Sequence, residues 1–234
     1  GFNIGQAQAA PFDAETLWAF EAGIKVEARD LPLHATASTF QYNYRNIQVA
    51  VLSPVAPPSG LPILENAARA TVRGAELALS ADATPRLSLG LSLAALDARY
   101  DDYVSIDPNN PMVSPDRGGN RLPLAPRWSL DLTTGYRLPL ASLGTLTLHA
   151  DWNYRSSAFF SPFNDPATRQ SGYGIWGAKA RLDAVDAAWY AAIFGRNLGD
   201  CLYAQDMVRA DGQVGTLAVW GPPRTVGVEL GLRL

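Results

Sequence analysis

Apolar and polar residues alternate along most of this chain. Val226, Val228, Leu230, Leu232 and Leu234 alternate with Gly227, Glu229, Gly231 and Arg233, and Trp128, Leu130, Leu132, Thr134, Tyr136 and Leu138 with Arg127, Ser129, Asp131, Thr133, Gly135 and Arg137. The same rhythm sets Leu146, Leu148, Ala150, Trp152 and Tyr154 against Thr145, Thr147, His149, Asp151, Asn153 and Arg155. It also sets Trp18, Phe20, Ala22, Ile24, Val26 and Ala28 against Ala19, Glu21, Gly23, Lys25, Glu27 and Arg29. A side-chain period of two belongs to a β-strand whose faces meet different surroundings. These segments run to about 10 residues or more, where strands of soluble domains peak at about 5 to 6. Strands with more broken alternation are predicted over 33–46, 71–82, 86–100, 171–182 and 189–198, about nine in all. Within 33–46 the apolar positions slip from Leu33, Ala35 and Ala37 to Phe40, Tyr42 and Tyr44, which predicts a bulge near Ser38.

Connections alternate in length. Short ones at 30–32, 82–85, 138–144 and 183–186 interleave with long ones over roughly 47–70, 101–121, 157–170 and 199–222, rich in Pro, Gly, Asn and Asp. Short turns on one rim and long loops on the other describe an all-β fold: the antiparallel, up-and-down wall of a transmembrane β-barrel. In such a wall the charged and polar positions face the lumen. The candidates are Lys25, Glu27, Arg127, Asp131, His149, Asp151, Asn153, Arg155, Lys179, Arg181, Glu229 and Arg233. Aromatic residues cluster near strand ends, and Trp18, Tyr42, Tyr44, Tyr100, Trp128, Trp152, Tyr154, Tyr173 and Trp176 are expected to form a girdle at the membrane interface. The bland alternative is a soluble β-sandwich with these aromatics in its core, which needs neither such long strands nor loops that alternate in length.

Composition narrows the classes. Charged residues make up 18% of the 234 and the net charge is -3, which provides no basic footprint for nucleic acid. The single cysteine, Cys201, excludes an internal disulfide framework. The first ten residues, GFNIGQAQAA, lack the basic start and apolar stretch of a signal peptide, and no apolar run reaches the roughly 18 residues of a spanning helix. His149, Asp151 and Asn153 share one strand face, but no nucleophile motif accompanies them, and a polar lumen row accounts for them. His34 and His149 fall on different strands, so no metal-ligand spacing exists, and no cofactor is expected.

The stretch AAIFGRNLGDCLY (191–203), followed by GPPRTVGVELGLRL (221–234), resembles the C-terminal signature of TonB-dependent outer-membrane receptors. Its marks here are Gly195, Arg196, Asn197, Leu198, Asp200, Pro223, Arg224 and Gly227. FDAETLWAFEAGIK, FQYNYRNIQ, RGAELAL, ARYDDY and GNRLPLAPRWS follow in the family's order, so the resemblance covers almost the whole chain. It implies the C-terminal part, residues 1–234, of a barrel of about 22 strands, without the family's plug domain and TonB box. Leu234 stands where such barrels usually end on an aromatic residue. It further implies a Gram-negative outer membrane, contact with membrane lipid, coupling to the TonB complex through the missing N-terminal part, and uptake of a ligand such as a ferric siderophore. The alternative is a small self-contained barrel acting as a passive channel or adhesion protein. Independently of any family, Gly195 and Gly199 bracket Arg196-Asn197, a polar pair suited to closing a strand and capping the next loop.

Overall fold

The computed structural model describes residues 13–28, 32–51, 63–186, 188–210 and 215–232. The strands in chain order are β1 (Thr16–Ala28), β2 (Leu33–Val51), β3 (Ile63–Thr84), β4 (Leu87–Tyr103), β5 (Trp128–Pro139), β6 (Thr145–Arg155), β7 (Ala158–Phe159), β8 (Arg169–Gln170), β9 (Tyr173–Asp183), β10 (Trp189–Arg196), β11 (Ala204–Ala210), β12 (Gly215–Trp220) and β13 (Thr225–Leu232). Nine of them form one antiparallel sheet in the order β1-β2-β3-β4-β5-β6-β9-β10-β13. Every neighbour in that sheet is also the next main strand along the chain, an up-and-down meander. The pairs β7–β8 and β11–β12 make two separate small sheets within the long connections. β1 and β13 stand at the two ends of the large sheet, each paired on one side only among the described residues.

The short turns are built for tightness. At 140–144 a single 3-10 turn, Ala141–Leu143, ends at Gly144, whose φ is 123°. A side chain there would collide with the Asp183 carbonyl oxygen, so only glycine lets the β5–β6 turn press against the neighbouring β9 end.

The register sorts residues onto two faces. Cross-strand partners share a face, so the pairings Gly135↔His149, His149↔Lys179, Lys179↔Phe194 and Phe194↔Gly227 trace one row, and Leu91↔Leu132, Leu132↔Trp152 and Trp152↔Trp176 trace a row on the other. The second face is apolar and uncovered: Trp18 is 61% exposed and Leu230 81%. Among the described residues no helix is long and apolar enough to cross a membrane; the exposed apolar surface lies on strands.

Three expectations need correction. No bulge occurs at Ser38, which pairs with Gly23 and Glu76 in unbroken register; the shift lies between Tyr44 and Ile47. There Asn46 takes φ 57°, a conformation that asparagine tolerates. The connection expected over 47–70 is largely strand, since β2 runs to Val51 and β3 begins at Ile63. The connections at 157–170 and 199–222 likewise carry the β7–β8 and β11–β12 pairs.

The third correction concerns the girdle. Without a bulge, Phe40, Tyr42 and Tyr44 stay on the face of His34, Thr36 and Ser38, and Tyr44↔Ala70↔Tyr100 continues that polar face. Tyr173 pairs with Arg155 and lies there too. Trp18, Trp128, Trp152, Tyr154 and Trp176 lie on the apolar face. Nearness to a strand end gives no information about which face a residue takes; parity along the strand does. Toward the long-loop rim the two faces exchange character. Gln41, Asn43, Arg45 and Arg73 now stand on the otherwise apolar face, while Ala68, Ala70, Tyr100 and Tyr103 bury themselves on the other with Tyr44, Ile47 and Leu122 packed against them. That cluster is where the fold keeps its dry core, beneath the loops.

Candidate functional site

The polar face of β5, β6, β9, β10 and β13 carries charges in pairs. Arg155 Nη1 reaches Asp131 at 3.2 Å, Lys179 Nζ reaches Glu229 Oε2 at 2.7 Å, and Arg181 Nη2 reaches Asp183 Oδ1 at 2.6 Å. Arg181 also lies 3.6 Å from the Tyr190 ring centroid. Lys25 and Glu27 pair at 3.4 Å on β1, where both are well exposed. His149 sits between Gly135 and Lys179, Asp151 between Thr133 and Gly177, and Asn153 between Asp131 and Ile175. The paired ions give this wall alternating donors and acceptors with little net charge. Arg127, expected to face the lumen, departs from that expectation: it precedes β5, outside the strand's alternation, and lines a basin with Arg73, Arg99 and Trp128, which stand on the apolar face; Arg233 lies outside the described residues.

At the long-loop rim the connections lock together. Asn120 Nδ2 donates to the Pro162 carbonyl at 2.9 Å. Arg121 N donates to Asn164 Oδ1, whose Nδ2 donates back to the Arg121 carbonyl, both at 2.8 Å. Arg209 Nη1 meets Asp165 Oδ2 at 2.5 Å, and Asn109 Nδ2 donates to the Arg209 carbonyl at 3.2 Å. Ala204 N donates to Gln170 Oε1 at 2.8 Å, and Tyr203 stacks on Tyr173 with centroids 4.7 Å apart. Arg117, buried, lies 5.0 Å over the Phe163 ring and donates through Nε to the Ser105 carbonyl at 3.3 Å. Arg121 is held below its ordinary pKa first by burial and then by the nearby Arg127 and Arg99.

Sequence reasoning missed Arg117, Asn120, Asn164, Asp165 and Tyr203, because their partners lie in other loops. One local signal existed: Asp165 followed by Pro166 is a helix start, and Asp165 Oδ1 does accept from Ala167 N at 2.9 Å.

The residues of the C-terminal motif meet in one place. Buried Asn197, at φ 48°, accepts through Oδ1 from Cys201 N at 2.8 Å and donates through Nδ2 to the Cys201 and Pro222 carbonyls at 2.9 and 3.0 Å. Arg224 N donates to Asp200 Oδ1 at 3.0 Å, and its guanidinium lies 3.8 Å from Asp200 Oδ2. Leu198 N donates to the Trp176 carbonyl at 3.0 Å. Gly195 and Arg196 pair with Val226 and Thr225, Gly227 faces Phe194, and Pro223 accepts from the Thr225 hydroxyl at 3.2 Å. The two ends of the 199–224 connection are thereby pinned together at the top of β10 and β13.

Comparison with known proteins places this geometry. A family model described as TonB dependent receptor-like, beta-barrel, matches residues 1–198. The ferric yersiniabactin uptake receptor FyuA from Yersinia pestis superposes with a TM-score of 0.78 at 22% identity, covering 98% of this chain and 32% of that one. The siderophore receptor PiuA from Acinetobacter baumannii gives 0.69 at 21% identity, covering 92% and 28%. The ferric-catecholate import receptor Fiu from K12 E. coli gives 0.65 at 20%, covering 94% and 27%.

Proposed function

Because the chain belongs to the TonB-dependent receptor-like β-barrel family, we propose that it supplies part of the wall and the ligand-facing mouth of a receptor that takes up an iron chelate, energised through TonB. Barrels of this family are proteins of the Gram-negative outer membrane, and so is this one. The observation that carries the reading is the two-faced sheet: an exposed apolar face, a polar face of paired charges, and interlocked loops over one rim. In it the apolar face meets membrane hydrocarbon and the charged face lines a wet lumen. The chain spans about a third of the solved receptor it matches, 32% of FyuA, so gating and TonB contact are proposals about the whole receptor. Lys179–Glu229 and Asp131–Arg155 keep the lumen wall hydrated without offering a strong unpaired charge that would hold a passing ligand.

Uptake of labelled ferric chelates by cells carrying the whole receptor tests this. Uptake is expected to disappear in a strain lacking TonB, and TonB-independent leakage of small solutes would instead identify a passive channel. Orientation has its own check. With the native thiol removed by Cys201→Ser, a cysteine at Asn110, in a long loop, is expected to react with a membrane-impermeant thiol reagent on whole cells, while one at Ala141, in a short turn, stays unlabelled. The reverse labelling pattern would invert the topology.

A further inference from the structure

On the apolar face, β1 to β5 change character at one register. The row Ala22, Thr39, Ala75, Ala95 and Trp128 runs across five strands and is small until its end. The next row toward the loops is Phe20, Gln41, Arg73 and Asp97, and above it stand Asn43, Thr71 and Arg99, with Arg121 bridged to Arg99. Small side chains below, with Phe20 and Trp128 as flanks, leave a basin of about 900 Å³ whose lining includes Arg73, Arg99 and Arg127.

The charge in this basin is unbalanced. Asp97 is engaged by Arg99, whose Nε donates to it at 2.8 Å, and Arg99 Nη1 also donates to the Gly119 carbonyl at 3.0 Å. Arg73 Nε donates to the neutral Gln41 Oε1 at 3.1 Å. Among the described residues, neither Arg73 nor Arg127 has an acidic partner in an ion pair. Arg121, in the loop behind, already feels Arg127 and Arg99 as repulsion. Glu21 also borders the basin, but it stands on the other face of β1, where its carboxylate accepts from the Tyr42 hydroxyl; three guanidiniums against the single carboxylate on this face, set where an apolar wall turns polar, are complementary to an anionic group that arrives attached to something apolar.

We propose that this basin binds the phosphate-bearing headgroup of an outer-leaflet lipid. Arg73 and Arg127 hold the phosphate, and Phe20, Trp128 and the alanine floor receive the apolar part next to it. Four residues further down β4, the same face opens a second groove of about 530 Å³ between Leu79, Leu91, Leu132, Trp152 and Trp176, continuing the apolar path that an acyl chain needs. A free anion uses only the arginines and leaves the apolar floor wet, so position favours the lipid. The inference rests on the outward orientation proposed above and not on iron transport.

The test uses the whole receptor in detergent micelles doped with diphosphorylated lipid A, with retained lipid read by native mass spectrometry. R73Q/R127Q is expected to weaken retention about 30-fold, at roughly a factor of five for each arginine near a charged lipid surface. Arg86→Gln, at the opposite rim, leaves it unchanged. Lipid A stripped of phosphate is expected to bind wild type as weakly as diphosphorylated lipid binds the double variant. Arg127→Gln alone, outside any strand, provides the measurement should the double variant lose the heat-modifiable gel mobility of a folded barrel, with about a 5-fold loss expected. Equal retention by wild type and variant overturns the site. Displacement of the lipid by inorganic phosphate makes it a free-anion site and overturns the lipid assignment. Loss of TonB-dependent uptake with lipid retention intact would count against the transport reading alone.

Discussion

Asn197→Ala is expected to destabilise the closure of the 199–224 connection by about 3 to 5 kcal/mol. The side chain makes three hydrogen bonds to backbone groups of Cys201 and Pro222 from a buried position; because those backbone partners are within reach of water, losing the three bonds costs about 2 to 4 kcal/mol. Alanine at φ 48° adds about 1 kcal/mol or more of backbone strain, which asparagine tolerates. Denaturant unfolding of the receptor in detergent, with limited proteolysis of the connection, measures both parts. Asn197→Gly loses the same bonds without the strain and is expected to fall about 1 kcal/mol short of the alanine effect. An alanine variant within about 1 kcal/mol of wild type would mean that water replaces all three bonds, and that Asn197 does not pin the connection.

Leu132→Arg is expected to cost about 2 to 4 kcal/mol if the residue lies near the bilayer midplane, while Thr133→Arg, one residue on, costs far less. Leu132 stands in the apolar row with Leu91 and Trp152, 37% exposed, and arginine there must desolvate in hydrocarbon or snorkel past that row. Thr133 pairs with Gly90 and Asp151 on the polar face, where a guanidinium meets a carboxylate. Unfolding of each variant in lipid vesicles compares them. Equal costs at the two positions would mean that both faces are buried in protein, and the soluble-sandwich reading would return.

A period of two is written locally, so strand existence and the two faces of β1, β5, β6 and β13 are legible in the sequence alone. The family motif was legible for a related reason: its residues from Gly195 to Gly227 act within one connection, so the spacing of their letters reflects the geometry they make. What only the tertiary structure decided is where that periodicity changes meaning. Tyr44 and Tyr100 are read as interface aromatics from their place near strand ends, yet both lie on the polar face, where they join Ala68, Ala70 and Tyr103 in the buried cluster beneath the loops. Nothing in residues 40–46 alone announces that exchange; it follows from pairing Gln41 with Arg73 and Arg73 with Asp97 across three strands. The loop contacts were equally hidden, since Asn120 reaches Pro162 and Asn109 reaches Arg209 across separations at which the local pattern around either residue holds no trace of the other. Periodicity sets the surroundings of each face of a strand, whereas register with neighbours sets how far along the strand those surroundings last.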